Sequence, residues 1–374
     1  MGESTVVKIL INGASILTFS IKEKTLIDEG FIFSDEGRVV AVGEGEPPEE
    51  LRYPELLIAG RERLVMPGFS TAFTSLSLYP LRYRRYVADL GAGLDYLRKL
   101  TRTDMYFLAS MGLAELISRG VTSALVVDVY LDEVARAAHD LGFSTVLAPP
   151  LNCGLDEFTP DNELKLLLNR WHGKVEGVSA GVAVCYELSE KALTLAREYG
   201  LRVFVIGGEI EDHQVKGVEV IYVNPVRGSG ERVIRWGDQL DRWQPGEGLG
   251  VGVRPSYSMV DVVREVVHRT SKHPLDVLYA ATVRNPLLMG LTNVGPLEEG
   301  VKTNLVMLDA SEPPGWPLPR SLDEVTRAVT EGNLKVETVI LDDEILVDGG
   351  ETLTVGSDVI AKAKKRLISI LPDQ

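Results

Sequence analysis

Several side chains that could do acid–base or nucleophilic chemistry follow predicted strands of the sequence. His213 comes shortly after a predicted buried strand at residues 201–206 and lies beside two acidic residues, so its imidazole could act as a general base. A histidine on a solvated loop is the alternative interpretation. Cys153 and Cys185 also fall near strand ends, where a thiolate could attack a carbon centre. No histidine accompanies either cysteine in the sequence, so a small buried side chain is the competing interpretation.

Arg254 is a further candidate, because it directly follows the predicted strand at residues 249–253. Its guanidinium group could anchor an anionic ligand through two parallel hydrogen bonds. It could instead pair with Glu209, which follows the predicted strand at residues 201–206, and we expect that structural ion pair.

Composition limits the classes of protein to which the chain can belong. Its 374 residues, with 45% hydrophobic and 25% charged side chains, are enough for one large domain or a barrel with a small companion. A net charge of −15 argues against a nucleic acid or an anionic membrane as the main partner. No apolar run approaches the ~20 residues of a transmembrane helix, and no signal-peptide pattern begins the chain.

The two cysteines are too few for a disulfide framework, so we expect a reducing, cytoplasmic location. Few Gln and many Val, Leu, Arg and Glu residues are typical of a thermophilic source.

Strands alternate with amphipathic helices in the part of the chain that must position these candidates. Residues 5–65 read as short strands joined by turns, including a hairpin at residues 30–43. From Gly68 onwards the pattern changes. Residues 104–119 repeat apolar side chains at helical spacing, and a buried strand at 121–127 follows. Such alternation predicts a parallel sheet covered by helices.

After the predicted strand at 201–206 the alternation breaks. A strand at 218–223 follows with no room for a full helix, and a helix is predicted near residues 230–242. Residues 302–350 return to strands, and a helix that begins near Ser357 ends the chain.

Stretches spread over the chain match motifs of one known family. Met66-Pro67-Gly68-Phe69 followed by small residues is typical of the strand that opens its barrel. Residues 109–122 match the next helix and second strand, and residues 280–309 match the return to a β domain. On these motifs nearly the whole chain resembles the chlorohydrolase and cytosine-deaminase branch of the amidohydrolase superfamily.

The resemblance implies the α/β fold class, with a TIM-like (β/α)8 barrel that is shortened or distorted here. It also implies a small β-sandwich domain formed by both chain ends. On this basis residues 1–65 and 302–355 form the composite β-sandwich, residues 66–301 form the barrel domain, and residues 356–374 form a C-terminal helix.

In this family the metal ligands are histidines and an aspartate at the carboxyl ends of barrel strands. The resemblance places other residue types at those positions, so we expect no metal site there. The fifth-strand motif keeps only its acid, Glu209, which matches the proton-shuttling acid of the family. The sixth-strand histidine falls in the compressed region. The ligand positions are occupied by Phe73, Ser75, Ala183, Phe204, Ile206 and Arg254.

From this pattern we predict a degenerate amidohydrolase that is non-catalytic and binds a protein partner or a small metabolite. Cys185, Tyr186 and Arg254 are its expected ligand-binding residues, and a small cyclic amide or nucleobase-like molecule is the expected ligand. Membership of a homo- or hetero-oligomer is expected from the behaviour of the family. No cofactor is expected, and zinc or iron would belong here only if the ligand positions were misassigned.

The alternative is a hydrolase of C–N bonds, metal-dependent or metal-free. Its unusual site would lie around Glu209, His213 and Arg254.

Overall fold

The first part of the chain forms strands of one large sheet. The computed structural model describes residues 7–84, 90–210, 215–368 and 370. Glu36 and Gly37 join the strand Leu26–Asp35 to its antiparallel neighbour Arg38–Glu44. Both residues have positive φ, 52° and 70°, as a tight two-residue turn requires. This confirms the predicted hairpin. The strands are β1 Ile9–Leu17, β2 Leu26–Asp35, β3 Arg38–Glu44, β4 Leu56–Ala59 and β5 Arg63–Pro67.

Parallel strands then alternate with helices. The predicted helix at 104–119 is observed as Arg102–Ser118; Thr101 caps it by accepting a hydrogen bond from the Asp104 amide, and the Asp104 carboxylate accepts one from the Thr101 amide. The elements are β6 Phe69–Thr74, α1 Leu94–Leu97, α2 Arg102–Ser118, β7 Val121–Val126, α3 Leu131–Asp140, β8 Ser144–Leu147, β9 Pro150–Leu151, α4 Pro160–Arg170, β10 Val178–Ala180, β11 Val182–Cys185, α5 Glu190–Tyr199 and β12 Val203–Ile206.

Three short strands follow, β13 Val220–Val223, β14 Val233–Arg235 and β15 Gly248–Leu249. Each pairs in parallel with the one before it, and β13 pairs with β12. Among the described residues no α-helix connects them, and only a 3-10 helix at Gly237–Arg242 lies between β14 and β15. The predicted helix near 230–242 is therefore wrong, because the Val-Ile pair at its start is buried in a strand. The predicted compression of this region is observed, and the strand predicted at 218–223 is observed as β13.

The parallel strands follow one another in barrel order. One hydrogen-bonded group runs β6, β7, β8, β10, and the other runs β9, β11, β12, β13, β14, β15. The chain passes between the two groups at two places: β9 closely follows β8, and β11 closely follows β10. The segment after β15 contacts the end of β6. The amide of Gly252 donates to the carbonyl of Phe73 at 2.8 Å, and Gly252 forms a parallel bridge with Thr74. The α/β class with parallel strands is confirmed.

The last part of the chain returns to the first sheet. β16 pairs with β5 on one side and with β17 on the other, so strands from both chain ends form one nine-stranded sheet. A separate β-sandwich domain with boundaries near residues 65 and 302 stays a prediction. The remaining elements are α6 Met259–Thr270, α7 Pro274–Tyr279, a π-helical turn Ala280–Arg284, α8 Asn285–Met289, β16 Asn304–Asp309, α9 Leu322–Thr330, β17 Lys335–Leu341, β18 Glu344–Asp348, β19 Glu351–Thr352 and α10 Ser357–Leu367.

The helices of the described residues are too short or too polar to cross a bilayer.

Candidate functional site

Apolar side chains from the parallel strands form one buried cluster. Phe73, at the end of β6, is 5% exposed and stacks on Trp236 with the ring centroids 4.9 Å apart. Stacked aromatic pairs of this kind stabilise a fold by about 0.5–1.5 kcal/mol beyond their buried area. Phe73 therefore has a packing role. The same apolar cluster includes Leu125, Val127, Val146, Ala148, Ala183, Phe204, Ile221, Val223 and Ile234.

The polar residues at the expected ligand positions have other partners. The Ser75 hydroxyl donates to the carbonyl of Val127 at 2.8 Å. Arg254 donates from Nη2 to Oε2 of Glu265, which lies on α6, at 2.8 Å. The expected ion pair between Arg254 and Glu209 is therefore wrong, because the α6 carboxylate holds the guanidinium group.

The donor set at these strand ends does not fit zinc or iron. Phe73, Ala183 and Phe204 have no atom that can coordinate a metal, and neither does Ile206. Within the described ranges, no group of three or more His, Cys, Asp or Glu side chains is placed to hold a metal ion.

Tyr186 and Glu209 lie at one edge of the strand ends. The amide of Tyr186, just after β11, donates to the carbonyl of Ile206 on β12 at 2.8 Å. A Cβ atom on Gly207 would be 3.4 Å from the Tyr186 ring, so the ring lies over the turn that leads to Glu209. The Tyr186 side chain is 72% exposed and the Glu209 side chain is also exposed. Of the predicted site residues, these two follow neighbouring strands, β11 and β12, at the same end of the sheet.

The two cysteines form a disulfide bond, with Cα atoms 5.1 Å apart. Cys153 follows β9 and Cys185 ends β11, and these strands are parallel neighbours. Our expectation of two separate thiols is therefore wrong: neither sulfur is available as a nucleophile or as a thiol ligand while the bond is intact. His213 lies outside the described residues.

Some of the non-glycine residues with a left-handed backbone, which we did not predict, follow the parallel strands. Tyr130, Asn152, Tyr186 and Asn224 follow β7, β9, β11 and β13, with φ of 51°, 56°, 66° and 47°. Left-handed conformations are unfavourable for residues other than glycine, and they occur preferentially at functional sites. Other left-handed residues, such as Glu36 and Asp342, lie in turns of the large sheet.

Asp128 is a second feature that sequence reasoning missed. Its carboxylate, fully buried after β7, accepts hydrogen bonds from the amides of Leu76 (2.6 Å), Ser77 (2.8 Å) and Val129 (2.9 Å). Burial raises the pKa of Asp128 to about 6, although hydrogen bonds to the carboxylate oppose the rise. Asp128 thereby fixes the path of the chain where it leaves β6.

Comparisons with known proteins agree with the resemblance. A 5-methylthioadenosine/S-adenosylhomocysteine deaminase from Caldicellulosiruptor saccharolyticus is 22% identical, over 98% of this chain and 99% of that protein. The protein of the same name from Carboxydothermus hydrogenoformans is also 22% identical, over 95% of this chain and 99% of its own length. No protein-family model matches the chain.

Solved structures show the same fold. An adenosine deaminase from Xanthomonas campestris with bound zinc has a TM-score of 0.80 and 15% identity, covering 97% of this chain and 98% of its own. Atrazine chlorohydrolase from Arthrobacter aurescens, complexed with zinc, has a TM-score of 0.78 and 16% identity, covering 97% and 100%.

The chain thus has the fold of these hydrolases, which are TIM-barrel enzymes of the amidohydrolase type. The relatives that align from end to end are named as deaminases, which are enzymes. They overturn our prediction of a non-catalytic protein and support the alternative, a hydrolase of C–N bonds.

Proposed function

We propose that the protein is a hydrolase that removes an amino group from a small nitrogen heterocycle by breaking a C–N bond. The observation that carries this proposal is similarity over 98% of the chain to a deaminase of 5-methylthioadenosine and S-adenosylhomocysteine. An aminopurine nucleoside is the substrate class that this similarity favours. The TM-score of 0.80 to an adenosine deaminase supports the same class.

The edge formed by Tyr186 and Glu209 is the proposed binding site. An exposed tyrosine ring offers a flat apolar face, and stacking of a base on an aromatic ring contributes about 1–3 kcal/mol. The Glu209 carboxylate follows the turn beneath that ring and can accept hydrogen bonds from an amino group or a water molecule. Arg254 and Glu265 form an ion pair on a different element and are left out of this site.

In the proposed reaction Glu209 takes a proton from water while the water oxygen bonds to the ring carbon that carries the amino group. Glu209 then returns the proton to the amino nitrogen, the C–N bond breaks and ammonia leaves. The ring keeps the oxygen, and the carboxylate is regenerated. A positioned carboxylate contributes about 10²–10⁴-fold to such a proton transfer. We route no step through a metal, because the described strand-end residues do not fit one.

Ammonia release from adenosine, 5-methylthioadenosine and S-adenosylhomocysteine tests the proposal. We expect Glu209→Gln to lower kcat/KM by about 100-fold or more, because the amide cannot accept the proton from water. Glu190→Gln is the matched control, since Glu190 is an exposed residue in the first turn of α5, the next helix after β11. Equal activities of the two variants would exclude Glu209 as the base.

Wild-type protein that releases no ammonia from any of these substrates would contradict the proposed substrate class. Elemental analysis of the same sample tests the metal assignment: a stoichiometric metal would mean that its ligands lie elsewhere in the chain. Oligomer formation, a cytoplasmic location and a thermophilic source stay predictions from the sequence.

A further inference from the structure

The Cys153–Cys185 disulfide lies next to the proposed site. Cys185 directly precedes Tyr186, whose amide is hydrogen-bonded to Ile206 on β12. Glu209 follows Ile206 by three residues. The disulfide therefore connects the end of β9 to the segment that presents Tyr186, and that segment is hydrogen-bonded to the end of the strand that leads to Glu209.

The backbone beside both cysteines is left-handed. Asn152 and Gly154 flank Cys153 with φ of 56° and 71°, and Tyr186 follows Cys185 with φ of 66°. Asparagine and glycine adopt this conformation readily, whereas a left-handed tyrosine persists only where its surroundings hold it in place. The disulfide is one such restraint, and breaking it would let both segments relax.

Movement at Tyr186 would reach Glu209 through direct backbone contact. A Cβ atom on Gly208 would be only 2.4 Å from the carbonyl oxygen of Tyr186, so the two backbones are packed without space between them. The carbonyl of Gly208 also accepts a hydrogen bond from the amide of Val226 at 3.0 Å. A shift of Tyr186 must therefore displace the turn that carries Glu209.

The disulfide lies at the boundary between the apolar interior and the surface. Cys153 and Cys185 are both partly exposed, in contrast to the buried apolar side chains that line the strand interior. Thiol–disulfide exchange requires such access for the attacking thiolate.

We propose that the Cys153–Cys185 bond is a redox-sensitive clamp that holds Tyr186 and Glu209 in the arrangement needed for catalysis. Its effect on catalysis rests on the function proposed above, whereas its effect on local structure does not. A dithiol would break the S–S bond by two successive exchanges, which leave two protein thiols and a cyclic disulfide of the reagent. Oxidised glutathione would restore the bond and release two equivalents of glutathione.

Hydrogen–deuterium exchange of oxidised and dithiothreitol-reduced protein tests the clamp without any substrate. We expect amide exchange to rise at least tenfold at residues 152–154, 185–187 and 206–209, while amides of β1 and β2 stay unchanged. Reoxidation should reverse the change. Cys153→Ser should exchange like reduced protein with or without dithiothreitol, which makes it the control for side effects of the reagent.

The clamp would be refuted by unchanged exchange in those segments, by a uniform rise over the whole chain, or by two titratable thiols in unreduced protein. Ammonia release measured on the same samples separates the two proposals. Absent activity in both redox states, together with the local exchange change, would refute the proposed function and leave the clamp. If reduction of the disulfide leaves the rate of ammonia release unchanged, the disulfide does not control catalysis.

Discussion

A buried carboxylate, Asp128, orders the strand ends at the level of single residues. It accepts hydrogen bonds from amides on both sides of the β6–β7 pair, those of Leu76 and Ser77 after β6 and that of Val129 after β7. Neither the pattern of apolar residues nor the spacing of acids predicts this role, because the first two partners are 52 and 51 positions away in the chain.

The buried Asp128 predicts a pH dependence of stability. Its folded pKa of about 6 lies above the ordinary value of 3.8, so the folded state binds the proton more tightly than the unfolded chain does. The resulting stabilisation is fully present below pH 3.8 and is lost as the pH rises through 6. Relative to Asp128→Asn, wild-type protein should therefore gain about 2 kcal/mol between pH 7 and pH 4.5, from the pKa difference of about two units.

Urea unfolding of both proteins at the two pH values measures this gain. Asp156→Asn, at an exposed position, is the control for acids in general. A difference between wild type and Asp128→Asn that does not change with pH would contradict the raised pKa.

Some positions of the candidate site could be predicted from the sequence and others could not. Glu209 and Tyr186 were proposed from motif positions, and they do lie at one edge because β11 and β12 are neighbours. The disulfide was missed because cysteines 32 residues apart pair only when the fold brings β9 and β11 together. Arg254 was assigned the wrong partner because Glu265 lies on a helix whose packing the strand pattern does not specify.

At the level of elements, an ion pair between Arg235 and Glu247 joins the end of β14 to the start of β15. Both side chains are buried, and Glu247 accepts hydrogen bonds from Nε and Nη2 of Arg235, each at 3.2 Å. Glu247 also accepts from the amides of Gly230 and Gln244. These contacts link β14 to the segments on both sides of it, in a region where the described residues form no α-helix.

Removing one charge from this pair should destabilise the protein strongly. We expect Glu247→Gln to lower the free energy of unfolding by about 3–5 kcal/mol, because it leaves the Arg235 charge buried without a counter-ion. Combining it with Arg235→Met should recover part of the loss. Urea denaturation measures each effect, and the exposed Glu231→Gln serves as the control. A double variant no more stable than Glu247→Gln would show that the buried charge is not the cause.

The compressed elements were only partly predictable. The short spacing between predicted strands indicated the compression, and β13 was recognised as a strand. β14 was read as part of a helix because its strand is Val233–Arg235 alone, too short to show a period of two. Its strand character comes from pairing with β13 and β15, which only the assembled sheet supplies.

At the level of the whole molecule, Lys302 links the large sheet to the parallel strands. Its ammonium group contacts Glu176, just before β10, at 2.6 Å and Asp342, in the turn after β17, at 3.1 Å. The three side chains line a cavity of about 950 Å³ between the two parts of the fold. That the chain ends share one sheet came from the family resemblance. The local sequence pattern does not reveal this shared sheet, because the paired strands β5 and β16 are distant in the chain.

Burial and the neighbouring charges have opposite effects on the pKa values of the side chains at this contact. Burial opposes the charge of Lys302, but the hydrogen bond to Glu176 and the attraction of Asp342 outweigh it, so the pKa of Lys302 is raised. Burial raises the pKa of Asp342, and Lys302 limits that rise. The carboxylate of Asp342 therefore depends on Lys302 for its stability as an anion.

We expect Lys302→Met to lower the free energy of unfolding by about 1–3 kcal/mol, because Asp342 loses its buried cationic partner while the open cavity lets water screen part of the cost. Lys302→Met with Asp342→Asn should lose less than the single variant, since no uncompensated carboxylate remains. Lys335→Met, at an exposed position on β17, is the matched control. Urea denaturation at neutral pH measures all three. If the double variant is as unstable as Lys302→Met, the contact with Glu176, rather than the charge of Asp342, is what joins the sheet to the parallel strands.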